Sequence, residues 1–254
     1  MPKLRYRSFR PAKSDNPVTN VISITGFSDP FSSLSHLLGA GVFAVLSVFM
    51  LRRGGGDSRR TASLGLFCLG AVFLLAVSGV NHLIARQGST HLVIQRLDHA
   101  AIFFLIACSF TPIHLILFHG WGRWGALALI WGIAFLGITL KSIYFDSIPA
   151  SVGTAMYIGM GWIGLGSWYS IVRRFGFDFA QPIMWGGIAY TVGAILDILQ
   201  WPVLITGVIQ WHEVFHVAVL MGLACHWAFI YRIANWPLDA FVSSDPQRSA
   251  LPPA

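Results

Sequence analysis

Seven long apolar segments leave this chain room for little besides membrane-spanning helices. A helix needs about 20 mostly apolar residues to cross the hydrocarbon core of a bilayer, and the 254 residues are 55% hydrophobic and only 11% charged. The segments lie at about 31–51, 62–85, 97–118, 122–140, 149–172, 182–202 and 208–233. Their short connections favour antiparallel neighbours. The sequence therefore predicts an all-α membrane protein, a seven-transmembrane-helix bundle.

The predicted organisation has three parts. Residues 1–30 form a polar, basic N-terminal tail, residues 31–234 form the seven-helix transmembrane domain, and residues 235–254 form a C-terminal tail. The net charge of +7 comes from the first tail and from residues that flank the apolar segments, which suits lipid headgroups and argues against nucleic-acid binding. Lys and Arg are divided almost evenly between the two sides of the membrane, and the basic tail favours a cytoplasmic N-terminus.

The polar residues of the apolar segments gather at one end of the predicted bundle. Antiparallel helices place the starts of odd-numbered helices and the ends of even-numbered helices on the same side of the membrane. These positions hold His36, Ser78, His82, Asp98, His99, Asp197, Gln200, His212, Glu213 and His216. Ionisable groups at membrane depth are costly and mark function. The pattern predicts a polar pocket that opens toward one leaflet.

Three histidines of this pocket are candidate metal ligands. His212 and His216 are four residues apart and so share one face of a helix, and His82 ends the second predicted helix on the same side. Three imidazoles suit Zn²⁺ and leave its fourth position open for water, although imidazoles also suit copper, nickel or iron. The alternative is that these rings only form hydrogen bonds to neighbouring helices.

Asp98 and Ser78 are candidate catalytic residues. Asp98 can accept a hydrogen bond from the water on the metal or act as a general base. Ser78 lies one helical turn before His82, where it can bind the same water or polarise a substrate carbonyl. Two alternatives stand beside these roles: Asp98 pairs with Arg96 or Arg86, and Ser78 binds the backbone carbonyl one turn back.

The order and spacing of these residues resemble the hemolysin III family, the bacterial relatives of the progestin and adipoQ receptors, within a superfamily that includes alkaline ceramidases. The resemblance rests on Ser78-x-x-x-His82, the segments 97–102, 109–112 and 186–194, and His212-Glu213-Val214-Phe215-His216. It implies seven helices in the bacterial inner (cell) membrane and zinc near one leaflet, held by the three histidines, with Asp98 on the zinc-bound water and Ser78 nearby. The chain departs from the family pattern at Asn81 and Phe110, where a tyrosine is usual, and at Asp197, where an aromatic residue is common.

Three functions are compatible with these residues. The favoured one is a zinc-dependent hydrolase of a lipid amide or ester, similar to ceramidases, whose substrate is a membrane lipid and whose reagent is zinc-bound water. The alternative is a receptor-like or membrane-homeostasis protein with a structural zinc. The third is an intramembrane metallopeptidase in which Glu213 of the HExxH sequence is the base. It is disfavoured because only a short tail follows the helix of His216, and that tail would have to supply the downstream third ligand.

Overall fold

A computed structural model describes residues 22–23, 28–84 and 88–240. Over these residues the chain forms eight helices, and its β-structure is limited to one isolated bridge. The helices are α1 (Pro30–Arg53), α2 (Ser58–Leu83), α3 (Ser89–Leu117), α4 (Gly120–Ile143), α5 (Ala150–Trp162), α6 (Leu165–Phe175), α7 (Phe177–Leu199) and α8 (Trp211–Ile233). Most of the predicted N-terminal tail, and residues 241–254 of the C-terminal tail, lie outside the described residues.

Six of the helices, α1 to α4, α7 and α8, are long and apolar enough to cross a membrane. The fifth predicted segment, 149–172, is divided into α5 and α6, which Ile163 and Gly164 join with right-handed helical dihedral angles. Gly159 and Gly161 lie just before this junction, and each glycine weakens a helix interior by about 1 kcal/mol relative to alanine. The described residues form a seven-helix bundle, as predicted, with a break in the fifth helix.

Neighbouring helices in the sequence are neighbours in the bundle. α1 packs on α2, α2 on α3, α3 on α4, and α7 on α8, while α8 closes the bundle against α1 and α3, and α5 bridges α3 and α7. Gly176 has a φ of 87° and serves both as the end of α6 and the start of α7, so the chain reverses there at a position that favours glycine. The outer surface is apolar, with exposed side chains such as Leu38 and Val45 on α1, as expected for helices surrounded by lipid.

The ends of the helices determine where the polar residues lie. His82 is in the last turn of α2, Asp197 is in the last turn of α7, and His212 is the second residue of α8. α3 begins at Ser89, before its predicted start at 97, so Asp98 lies well inside this helix rather than at its start. The polar side chains of these four helices nevertheless meet at one end of the bundle, as the alternation of helix direction predicts.

The described part of the C-terminal tail packs against the opposite end of the bundle. The Trp236 ring stacks on Phe179 with ring centroids 5.2 Å apart, and Arg60 donates a hydrogen bond to the Trp236 carbonyl at 2.8 Å. The buried guanidinium of Arg123 forms an ion pair with Asp239. These contacts join α2, α4 and α7 to the tail, far from the polar pocket.

Candidate metal centre

The rings of His82, His212 and His216 converge between the end of α2 and the start of α8. Their candidate ligand atoms all lie within 4.8 Å of one another. Nε2 of His212 lies 3.4 Å from Nε2 of His82 and 3.2 Å from Nε2 of His216. Nitrogen ligands arranged tetrahedrally around zinc at about 2.0–2.1 Å are separated from one another by about 3.3–3.4 Å. The observed spacing therefore fits three ligands of one small cation.

Two carboxylates lie behind these rings. Oδ2 of Asp29 is 3.1 Å from Nδ1 of His82, and Oδ1 of Asp197 is 3.1 Å from Nδ1 of His212. The tautomer that places the Nδ1–H next to each carboxylate leaves a lone pair on the Nε2 of the same ring. Two lone pairs that face each other at 3.4 Å repel, and a cation between them removes this repulsion. The chemistry of the donor set thus fits a metal ion.

Asp29 is missing from the residues that sequence reasoning selected, because it falls at the end of the predicted tail. It is fully buried and caps α1: its Oδ1 accepts a hydrogen bond from the backbone N–H of Ser32 at 3.2 Å. Its own N–H donates to the His82 carbonyl at 3.0 Å. Burial raises the pKa of Asp29, but hydrogen bonds from His82 and Ser32 outweigh it and lower that pKa below its ordinary value. An aspartate directly before Pro30 is a helix-start signal, which could have identified the cap but not the contact with His82.

Two further residues of the polar end support α8. The ring of His36 packs against that of His216 with centroids 4.0 Å apart, and its Nε2 lies 3.4 Å from the His216 carbonyl oxygen. Glu213 is buried, and both of its oxygens are engaged at the helix start. One accepts a hydrogen bond from the backbone N–H of Gln210 at 2.8 Å, and the other accepts one from the Ser32 hydroxyl at 3.4 Å. Glu213 therefore completes the cap of α8.

Asp98 and Ser78 lie beside the histidine cluster rather than within it. Asn81, the residue before His82, donates a hydrogen bond to Oδ2 of Asp98 at 3.0 Å. The Ser78 side chain is buried and lies near the same carboxylate. Asp98 is also close enough to interact electrostatically with His212. A carboxylate and a hydroxyl are therefore grouped at one side of the three imidazoles.

The alternative partners proposed for Asp98 have different positions. Arg96 forms an ion pair with Asp146 at 3.3 Å, and Arg86 lies outside the described residues. His99, the next residue after Asp98, directs its ring to a tyrosine hydroxyl on α5 at 3.3 Å. His99 is thus separate from the metal cluster, as its position on the helix predicts.

Comparison with known proteins gives consistent matches. A family model described as "Haemolysin-III related" matches residues 27–227, a range that contains all three histidines. Hemolysin-3 of Bacillus cereus is 37% identical over 131 residues, which are 50% of this chain and only 55% of that relative. The hemolysin-3 homolog of Bacillus subtilis (strain 168) is 27% identical over 198 residues, 76% of this chain and 88% of the relative. Heptahelical transmembrane protein 1 of Arabidopsis thaliana is 25% identical over 228 residues, 80% of this chain and 68% of the relative.

Proposed function

The chain belongs to the haemolysin-III-related family, and on that premise we propose that it is a zinc-dependent hydrolase of a membrane lipid amide or ester, similar to ceramidases. The observation that carries this proposal is the convergence of three imidazole nitrogens, with Asp98 held nearby by Asn81, the residue before His82. His82, His212 and His216 would hold the zinc. When bound, the metal supplies a Lewis acid and lowers the pKa of water enough to make hydroxide available at neutral pH.

The side chains next to the histidines would perform the proton transfer and stabilise charge. Asp98 would orient the attacking water and accept its proton. The hydrogen bond from Asn81 holds one carboxylate oxygen of Asp98 in place, which leaves the other for the water. The Ser78 hydroxyl would donate a hydrogen bond to the substrate carbonyl oxygen as negative charge develops on it.

The connection between α7 and α8 supports a lipid as the substrate. It precedes His212 directly, and together with Leu199, the last residue of α7, it exposes a group of large apolar side chains: Trp201, Leu204, Ile205 and Val208. Hydrogen bonds within the connection pair part of its backbone, for example from the N–H of Leu204 to the carbonyl of Ile209 at 3.0 Å. A loop with paired backbone groups and apolar side chains is suited to the membrane surface. It would let an acyl chain approach the metal centre from the bilayer.

We also infer the location and orientation of the protein. Relatives from two Bacillus species support the bacterial inner (cell) membrane, and the basic N-terminal tail supports a cytoplasmic N-terminus. The metal centre then faces the cytoplasmic leaflet. Reporter fusions after residue 53 and after residue 254 test this, because an odd number of spans places both on the outer side. A fluorescent cytoplasmic reporter at either position contradicts the orientation.

The function is tested by metal analysis and turnover of the purified protein. We expect about one zinc per chain and hydrolysis of at least one member of a panel of ceramides, other N-acyl lipids and lipid esters. Asp98→Ala should retain the zinc and lose turnover by at least about 10²-fold, the contribution typical of general base catalysis. Asp146→Asn is a matched control, because this acidic residue lies on the same side but pairs with Arg96. Undiminished turnover by Asp98→Ala would refute the assigned mechanism.

Two other outcomes identify the alternative functions. Bound zinc without turnover on any lipid supports a receptor-like or homeostasis protein with a structural metal. Peptide cleavage that Glu213→Gln abolishes and Asp98→Asn preserves would support a metallopeptidase. The contacts of Glu213 with the start of α8 disfavour that role, because both of its oxygens already have partners.

A further inference from the structure

We propose that Asp29 and Asp197 are positioning residues that orient two of the metal ligands, and that Asp29 has the larger effect; this inference rests on the proposed metal centre. Oδ1 of Asp197 is hydrogen-bonded to Nδ1 of His212 at 3.1 Å, and Oδ2 of Asp29 lies 3.1 Å from Nδ1 of His82 in an ion-pair contact. Each contact fixes the rotation of its ring and directs the Nε2 of that ring toward the other histidines. A carboxylate in this position also makes the imidazole a more basic ligand.

Asp29 holds His82 from two directions. One of its oxygens caps α1 and the other contacts the ring, while its backbone N–H binds the His82 carbonyl. This residue is fully buried, and the His82 side chain is only 11% exposed. Charge interactions in such surroundings are weakly screened. Asp29 therefore fixes the start of α1, the end of α2 and the direction of one ligand through a single side chain.

Asp197 contacts His212 in a more solvent-exposed environment. Its side chain is 29% exposed and that of His212 is 38% exposed, so solvent screens this pair more strongly. The bond nevertheless joins the last turn of α7 to the first turn of α8, across the apolar connection between them. His216 differs from both rings: its Nδ1 has no hydrogen-bond partner among the residues that the structure describes, and packing against His36 holds it instead.

The test is a direct measurement of zinc affinity, independent of turnover. The purified full-length protein in detergent is titrated with Zn²⁺ in competition with a chromophoric chelator. We expect Asp29→Asn to weaken zinc binding by about 10–100-fold, the range typical for partners that orient metal ligands, and Asp197→Asn to weaken it less. Asparagine caps a helix as well as aspartate does, so the metal-free Asp29→Asn protein should keep its thermal stability. Asp29→Glu, which retains the charge, should recover part of the affinity.

The matched control is Asp57→Asn. Asp57 caps α2 at the opposite end of the bundle by accepting a hydrogen bond from the backbone N–H of Arg60 at 2.8 Å, and we expect this variant to bind zinc like the wild type. If the wild type binds zinc and Asp29→Asn matches Asp57→Asn, the positioning role is wrong and the proposed function is unaffected. If Asp29→Asn binds more weakly but no lipid is hydrolysed, the positioning role stands and the hydrolase proposal fails. A wild type that binds no zinc overturns both.

Discussion

Replacing Gly79 with alanine tests how closely α1 and α2 must approach beside the metal centre. A Cβ at this position would lie 2.6 Å from Cγ, 2.8 Å from Cδ2 and 3.1 Å from the backbone nitrogen of Leu37. Carbon atoms in favourable contact are about 3.5–4.0 Å apart, so the helices must separate by roughly 1 Å to accept the new Cβ. The Leu37 side chain can rotate away from it, but the Leu37 backbone nitrogen can move only with α1. We expect a loss of about 1–3 kcal/mol in the free energy of unfolding, or roughly 2–4 °C in Tm for each kcal/mol.

The same separation would reach the metal ligands. The Ser33 hydroxyl donates a hydrogen bond to the Gly79 carbonyl at 2.9 Å, and Asp29 contacts His82 at 3.1 Å across the same pair of helices. A movement of roughly 1 Å stretches the second contact to about 4 Å, which is beyond hydrogen-bonding range. Gly79→Ala should therefore reduce zinc affinity together with Tm, although it removes no ligand.

The assay is thermal unfolding of the metal-free protein in detergent, followed by tryptophan fluorescence. Gly41→Ala is the control, because a Cβ there meets nothing within 4 Å and alanine favours a helix over glycine by about 0.5–1 kcal/mol. Its Tm should be unchanged or higher. Leu37→Ala together with Gly79→Ala should destabilise less than the sum of the two single changes. Equal Tm values for Gly79→Ala and Gly41→Ala would show that α1 and α2 do not approach this closely.

Three further predictions follow from other contacts. Gly186→Ala places a Cβ 2.4 Å from the His226 ring and should lower the free energy of unfolding by an amount typical of overpacking, about 1–3 kcal/mol. In Gly153→Ala the Cβ meets only the flexible end of a lysine, so this change should cost less than about 1 kcal/mol; paired thermal unfolding checks both. Arg123→Ala removes the ion pair with Asp239, so limited proteolysis should cut the C-terminal tail sooner while zinc content stays the same. Removing zinc with a chelator should destabilise the wild type by about 2.7 kcal/mol relative to a sample with free zinc at 100 times Kd, and an unchanged Tm would contradict a bound metal.

The sequence predicts the bundle well because lipid imposes a simple requirement. Each span must be long, apolar and helical, so hydropathy locates all seven segments. The break at Ile163–Gly164 is harder to predict, because hydropathy does not register the local weakness that Gly159 and Gly161 introduce. Hydropathy also misses the early start of α3 at Ser89. The first turns of this helix carry polar residues, so they lie outside the apolar segment and extend the helix beyond the hydrocarbon core.

The sequence predicts that the three histidines cluster, but it does not predict which carboxylates contact them. His212 and His216 are related by helix geometry alone, and the alternation of helix direction brings His82 to the same end. Asp29 has no such relation to the cluster, because it lies outside the apolar segments. Its contact with His82 depends on the angle at which the chain enters α1. Asp197 stands out as a carboxylate within an apolar helix, but only the packing of α7 on α8 identifies its partner.

The carboxylates and imidazoles of this centre belong to four different helices or their caps, which bears on the choice between a catalytic and a structural metal. Asp29 precedes α1, His82 ends α2, Asp197 ends α7, and His212 and His216 begin α8. A cation bound there ties these four elements together and offsets negative charge that is costly to bury. Zinc should therefore stabilise the fold even if its main role is catalysis, so a fall in Tm on chelation is expected for both functions. Turnover of the Asp98 variant is the measurement that distinguishes them, because Asp98 contacts Asn81 rather than the ligating rings and its loss leaves the four-helix link intact.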